Sequence, residues 1–476
     1  MTDGAPRFSA DEILRCTGGT LLRGGGGWSC RGISTDTRTL VAGNLYIALE
    51  GEHFDGHDCL TQAAERGAAG LLIRANAAVK LAAAPERLPA IGVPDTLRAL
   101  GDLARDWRRH FAVPVIAITG SSGKTTTKEM VAAIASRTRN VLKTEGNLNN
   151  RIGLPLTLLR LRENHELAVV EMGTNCPGEI ALVAAIAEPE VGVITNVGPA
   201  HLEGLGSLHG IREEKGSLWE KMAGRGRAII NHDDPEIDLL ARRWRGERIR
   251  FGLGEGADVN ARRIESSGPE GVRFELFIDG IGVPVILHAP GEHNVMNALA
   301  AAAAAWSIGF DRKTIAAGLA AFRPLPGRNE IRPLGNGAFL MIDSYNANPS
   351  SMREALKTLL GLRGDGHAFA VLGDMLELGE QSEPLHEEIG TLLADARPSH
   401  LFLKGSLTRA LVAGAIRRGF PAERITFFEH PEEVVALLQS RLTRGDWILI
   451  KGSRKMKMEA VAEKIIAAFD LKPQTV

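Results

Sequence analysis

The chain is poor in cysteine. Cys16, Cys30, Cys59 and Cys176 are widely scattered and form no C-x-x-C pair, which leaves no basis for a disulfide framework or a cysteine zinc site. Charge of either sign is not in excess: the formal net charge is -1, with 24% charged residues. A role on nucleic acid or on a membrane surface therefore has no electrostatic support, and any anionic ligand must be held locally. Long apolar runs are missing too, and Asp3, Asp11 and Glu12 interrupt the first dozen residues where a cationic and apolar signal would stand. The expectation is a cytoplasmic protein without membrane insertion.

The run Thr119-Gly120-Ser121-Ser122-Gly123-Lys124-Thr125 follows the apolar stretch Pro114–Ile118 and leads into the helix-like segment Lys128–Val131. It reads as a phosphate-binding loop. Glycines let backbone N–H groups approach phosphate oxygens, the helix start adds a positive dipole, Lys124 offers a mobile charge, and the Thr125 hydroxyl suits magnesium. Ile118 stands where the common G-x-x-x-x-G-K-[ST] spacing has glycine, so the loop is the shorter G-x-x-G-K-T form. ATP and Mg2+ are the expected ligands.

At 476 residues, three domains are expected within an α/β fold. Residues 1–94 read as a small α/β domain, closed off by Pro85, Pro89 and Pro94. Residues 95–326 read as a central P-loop domain with a mostly parallel sheet, because strand-like runs at 114–118, 167–172, 191–195 and 227–230 alternate with helices. The Ala-rich run 298–306 reads as a helix packed through small side chains. Residues 327–476 repeat the alternation at 339–342, 368–372, 401–403 and 447–450, a Rossmann-like pattern.

In open α/β sheets, ligands gather beyond the carboxyl ends of strands, where Glu171 and His201 should lie. Both could reach a metal beside the phosphate loop. Lys215, in Arg212-Glu213-Glu214-Lys215-Gly216, reads by itself as one charge on a solvated helix face. Gly252-Leu253-Gly254-Glu255-Gly256-Ala257 fits a dinucleotide fingerprint, but the polar run 258–263 after it is no apolar helix. Asn231-His232-Asp233-Asp234 matches the N-K-x-D element of guanine-nucleotide binders poorly, which favours adenine. Asp343-Ser344-Tyr345-Asn346-Ala347-Asn348-Pro349-Ser350 ends a strand and starts a helix, with Ser350 the expected N-cap.

These motifs, together with Gly291–Asn297, Gly327-Arg328 and Lys451-Gly452-Ser453-Arg454, occur in the order seen in Mur ligases, and the chain resembles that family over nearly its whole length. Gly146–Asn150, Asp343–Asn348 and Leu372–Gly379 resemble the branch that adds D-alanyl-D-alanine to UDP-N-acetylmuramoyl-tripeptide in peptidoglycan synthesis. The resemblance implies an ATP-dependent ligase working through an acyl phosphate, a monomer whose partners are these small molecules. It implies Lys124 and Arg328 on the β- and γ-phosphates, Thr125 and Glu171 on one magnesium, and Glu171 with His201 on a second. It also implies that Lys215 is carbamylated, which reverses the solvated-helix reading. Asn294 and Asp343 would contact adenine and ribose. Ser34, Asp36 and Arg38 would hold the UDP-sugar, and Asn149, Asn346 and Asn348 are further substrate-binding residues. The alternatives are a folylpolyglutamate synthetase, which shares the central machinery, and a nucleotide-binding switch without ligase chemistry.

Overall fold

A computed structural model describes residues 5–470. Val115–Thr119, buried along its whole length, is the pivot of the central sheet. An apolar run buried on both faces is what a parallel interior strand requires. Leu167–Glu171 pairs with it on one side and Val191–Ile194 on the other, both parallel. Register aligns Glu171 with Ile118 and Ile194 with Thr119, so three strands end together at one edge. From the pivot the chain first builds Val141–Lys143 and Leu167–Glu171 on one side, then crosses to Val191–Ile194 on the other. That reversal opens the crevice in which an open parallel sheet holds its ligand.

The sheet continues through Arg227–Asn231 and Glu247–Gly252. It then takes up Val259–Ser266, Val272–Ile278 and Ile281–Leu287, the last two antiparallel, to reach nine strands. The polar run 258–263 thus belongs mostly to the strand Val259–Ser266, which is paired on both sides and of which only Val259 and Ala261 are buried. The Ala-rich stretch lies within the helix Glu292–Ser307, whose alanines are almost wholly buried against the helix Lys124–Ala135 and the sheet.

The C-terminal sheet runs Glu330–Pro333, Phe339–Asp343, Trp447–Lys451, Ala368–Gly373, His400–Lys404, Ile425–Phe427, antiparallel at its first pair and parallel thereafter. Asp343 and Lys451 face each other across one register step at the carboxyl edge. Asn348, not Ser350, caps the following helix Pro349–Leu362: its side chain accepts from Ser351 N at 2.8 Å. Pro349 then takes the first helical position, where a missing N–H costs nothing, and this leaves Ser350 inside the first turn.

In the N-terminal part, five strands between Thr20 and Val93 form a mixed sheet, beside an antiparallel pair, Arg7–Ser9 with Ser29–Arg31. Asp95 caps the helix Thr96–Arg109, accepting from Leu97 N and Arg98 N. Leu100 and Leu103 of this helix share one core with Phe8, Ile13 and Leu45 on one side and Val115, Ala117 and Val170 on the other. All four cysteines are free thiols, and burial pushes Cys16 and Cys30 up to about 11. Among the described residues no helix is long and apolar enough to cross a membrane.

Candidate active site

Glycine is obligatory at two points of the loop. Gly123 has φ +78° and Gly120 φ +150°, and a Cβ would collide with Asn297 Oδ1 at the first and with the Thr195 hydroxyl at the second. The loop is pinned from below by Asn196: Ser121 N donates to its carbonyl at 3.0 Å and Ser122 N to its Oδ1 at 2.9 Å. Ser121 Oγ donates to Gly198 O at 2.8 Å. Gly123, the N-cap of Lys124–Ala135, supplies no side-chain cap, so the helix's first N–H groups remain available to an anion. Lys124 Nζ rests on Gly120 O at 2.7 Å. Burial pushes its ammonium below the usual lysine value, Glu171 opposes that, and Arg328 adds to it.

Glu171 is 2% exposed, and each carboxylate oxygen accepts one hydrogen bond at 2.8 Å, from Thr125 Oγ1 and from Asn149 Nδ2. Its backbone N–H donates to Thr144 Oγ1, and Lys128, itself 1% exposed, stands 4.0 Å from it. A buried carboxylate beside a hydroxyl, at the mouth of a phosphate loop, is the hard oxygen donor set that magnesium takes while it keeps waters and phosphate oxygens as its other ligands. The residues therefore fit the metal. Among the described residues no cluster of three or more His, Cys, Asp or Glu side chains is placed to hold a metal ion.

The loop opens into a cavity of about 980 Å³ between the central and C-terminal sheets. Arg328 lies over the Tyr345 ring, 3.8 Å from its centroid, and both line the cavity. Asp343 is ion-paired to the buried Lys451 and accepts from Asn329 N at 3.3 Å. Asn294, 2% exposed, donates to Pro290 O and accepts from Asn297 Nδ2. Asn348 crosses to the other domain, its Nδ2 donating to Ser121 O at 3.2 Å. Gly198 makes room for Ser350, whose hydroxyl would lie 2.7 Å from a Cβ there. Asn149 and Asn346 line the same cavity.

His201 also lines it, but its Nδ1 bonds Glu377 Oε2 at 2.8 Å rather than Glu171. Lys215 is not a solvated-face residue: it is 1% exposed. Burial, then the nearby Lys124, holds its amine well below the usual lysine range, opposed by Glu214. Ser34, Asp36 and Arg38 are absent from the cavity lining and form their own turn, in which Asp36 and Arg38 are ion-paired at 2.6 Å. Asn231 and Asp234 line the cavity in scaffolding roles: Asn231 Nδ2 donates to Thr195 O, and Asp234 accepts from Val197 N.

The sequence reading assigns no site role to Asn196, nor to Lys451 although Lys451-Gly452-Ser453-Arg454 is among the family-like motifs. It also missed Asn297, His293 and Asn329. His293 Nε2 meets Asn329 Nδ2 at 2.6 Å, whereas His293 Nδ1 and Asn329 Oδ1 find no partner among the described residues. An inward-facing polar pair within Gly291–Asn297 and beside Arg328 was the available signal.

Three family models match the chain: the Mur ligase family catalytic domain over residues 29–108, the Mur ligase middle domain over 118–305, and the Mur ligase glutamate ligase domain over 327–454. The UDP-N-acetylmuramoyl-tripeptide–D-alanyl-D-alanine ligase of Bacillus subtilis is 37% identical over 91% of this chain and 93% of its own length. That of Escherichia coli is 38% identical over the same shares. A crystal structure of MurF from Acinetobacter baumannii superposes with a TM-score of 0.88 at 33% identity, covering 98% of this chain and 100% of that one. MurF from Thermotoga maritima in complex with ADP gives 0.81 at 29% identity, covering 92% and 97%.

Proposed function

Since the chain belongs to the Mur ligase family, we propose that it joins D-alanyl-D-alanine to UDP-N-acetylmuramoyl-tripeptide, with ATP cleaved to ADP and phosphate. The observation that carries this reading is the cavity itself. It brings the phosphate loop, Glu171 and the Asp343–Asn348 turn, which is specific to this branch of the resemblance, to one space spanning two domains.

The chemistry is phosphoryl transfer followed by acyl transfer. The terminal carboxylate of the tripeptide attacks the γ-phosphorus, the bond to the bridging oxygen breaks, and ADP leaves. The dipeptide amine then attacks the acyl carbon, expels phosphate and gives up a proton. Charge on the transferring phosphoryl oxygens calls for cations held in place, not a covalent nucleophile. Lys124 and Arg328 serve there, and stacking on Tyr345 keeps Arg328 from swinging free. Thr125 and Glu171 would hold one magnesium ion, and Glu171 with His201 a second. A metal held there would supply positive charge against the phosphate oxygens.

A carbamate on Lys215 needs an unprotonated amine to meet dissolved carbon dioxide, and burial, with Lys124 nearby, disfavours the protonated form. Asn294 and Asp343 take adenine and ribose. Ser34, Asp36 and Arg38 take the UDP end, and Asn346 and Asn348 the dipeptide. Asn149, one of whose two amide hydrogens goes to Glu171, serves the acceptor through its remaining N–H and its carbonyl oxygen. The enzyme acts as a cytoplasmic monomer.

Incubation with ATP, magnesium, the UDP-tripeptide and D-alanyl-D-alanine should yield the UDP-pentapeptide by mass spectrometry, with one phosphate released per product. Phosphate release that ignores both acceptors would overturn the assignment, and glutamate addition to a folate would move it to the folylpolyglutamate synthetase reading.

A further inference from the structure

Two residues in the left-handed backbone region meet across the domain boundary. His201 has φ +57° and begins the short helix Leu202–Leu205; Glu377 has φ +65° and lies in the loop after the strand Ala368–Gly373. Neither is glycine, and a side chain in this region persists only where its surroundings hold it. The surroundings here are each other. His201 Nδ1 lies 2.8 Å from Glu377 Oε2, and the Glu377 carbonyl accepts from Glu203 N at 3.1 Å. Gly379 completes the approach, since a Cβ there would lie 3.3 Å from Glu203 Cα.

An ionised carboxylate only accepts, so the hydrogen bond places a proton on Nδ1 and leaves Nε2 as the ring atom that can face a metal. Stability does not explain the pair: the Glu377 side chain is 46% exposed, and exposed ion pairs add little. What the contact does set is the orientation of a ring that lines the cavity, and it does so from the C-terminal domain.

We propose that Glu377 is a positioning residue: reaching across from the C-terminal domain, it fixes the tautomer and direction of His201 and so completes the second metal site. The inference rests on the reading of His201 as a metal ligand. Partners that orient a ligating histidine typically change metal affinity or activity 10–100-fold when removed, which sets the expected scale at about tenfold.

The test uses the full chain with ADP, manganese as the probe, and electron paramagnetic resonance to count bound ions, alongside the magnesium concentration that gives half-maximal ligation. Glu377→Ala should weaken the second manganese about tenfold and raise the magnesium requirement similarly, with the ATP KM less affected. Glu377→Gln, whose amide oxygen still accepts from Nδ1–H, should recover most of the loss. In a His201→Ala background, Glu377→Ala should add no further effect. An additive double variant, or unchanged manganese binding in Glu377→Ala while His201→Ala loses an ion, would overturn this inference alone. Unchanged manganese binding in His201→Ala would overturn the ligand reading beneath it.

Discussion

Replacing Glu171 by Gln keeps the shape and removes the charge. Glu171 now accepts from Thr125 Oγ1 and Asn149 Nδ2, both at 2.8 Å, in a site where it is 2% exposed. An amide can accept from one of these donors but must turn its NH2 toward the other. Hydrogen bonds to a charged group are worth about 1.5–3 kcal/mol, so one loss and one donor conflict should cost about 2 kcal/mol of stability. Lys124 and Lys128 also lose their nearby anion. The effect on the reaction should be larger than on the fold. Removing one charge-stabilising group at such a site costs on the order of 10²–10³-fold in kcat, about 2.7–4 kcal/mol. Thermal or denaturant unfolding measures the first quantity, and phosphate release coupled to pentapeptide formation, titrated with magnesium, measures the second. A folded Glu171→Gln variant with kcat within tenfold of the parent and the same magnesium response would show that this carboxylate only braces Thr125 and Asn149.

Lys215→Arg should be inactive, since arginine stays cationic and cannot form a carbamate, whereas Lys215→Ala should regain part of its rate with a small added carboxylate; an active Lys215→Arg enzyme refutes the carbamate. Asp36→Ala should raise the KM for the UDP-tripeptide about tenfold, roughly 1.4 kcal/mol, and leave the ATP KM alone. Its ion pair with Arg38 is exposed and adds little to stability, so an equal rise in both constants would remove the dedicated acceptor site. Burial, with Arg441 and Arg424 beside it, pushes His400 down to about 4. Below about pH 6.5 the unfolded chain binds a proton that the folded chain refuses, so stability is complete above pH 6.5 and should fall by about 3 kcal/mol as pH drops to 4. Denaturant midpoints at both ends of that window check this, and a His400→Gln chain with the same acid slope would contradict it.

The phosphate loop and most of the strands before the site were legible because their signals are local. Val115–Ile118 is an unbroken apolar run, and Gly120 and Gly123 combine a positive φ with no room for a Cβ. The alternation of such runs with helices is enough to announce a parallel sheet, and a sheet of that kind places Glu171 and the phosphate loop at one edge through register alone. The cap at Asn348 shows the limit even of local reading, because the Asn348 and Ser350 side chains both suit the position and Pro349 decides between them. Pairings across long separations were not legible at all. Asn149 on Glu171, Lys451 on Asp343, Asn348 on Ser121 and Glu377 on His201 join residues 22 to 227 positions apart. No spacing rule reaches that far. Lys215 makes the same point about charge: its sequence neighbours Glu213 and Glu214 suggest a solvated helix, and only packing in three dimensions withdraws water from its amine and brings Lys124 near enough to oppose its proton. Local chemistry is written in adjacent residues, but desolvation and the meeting of two domains are properties of the folded chain.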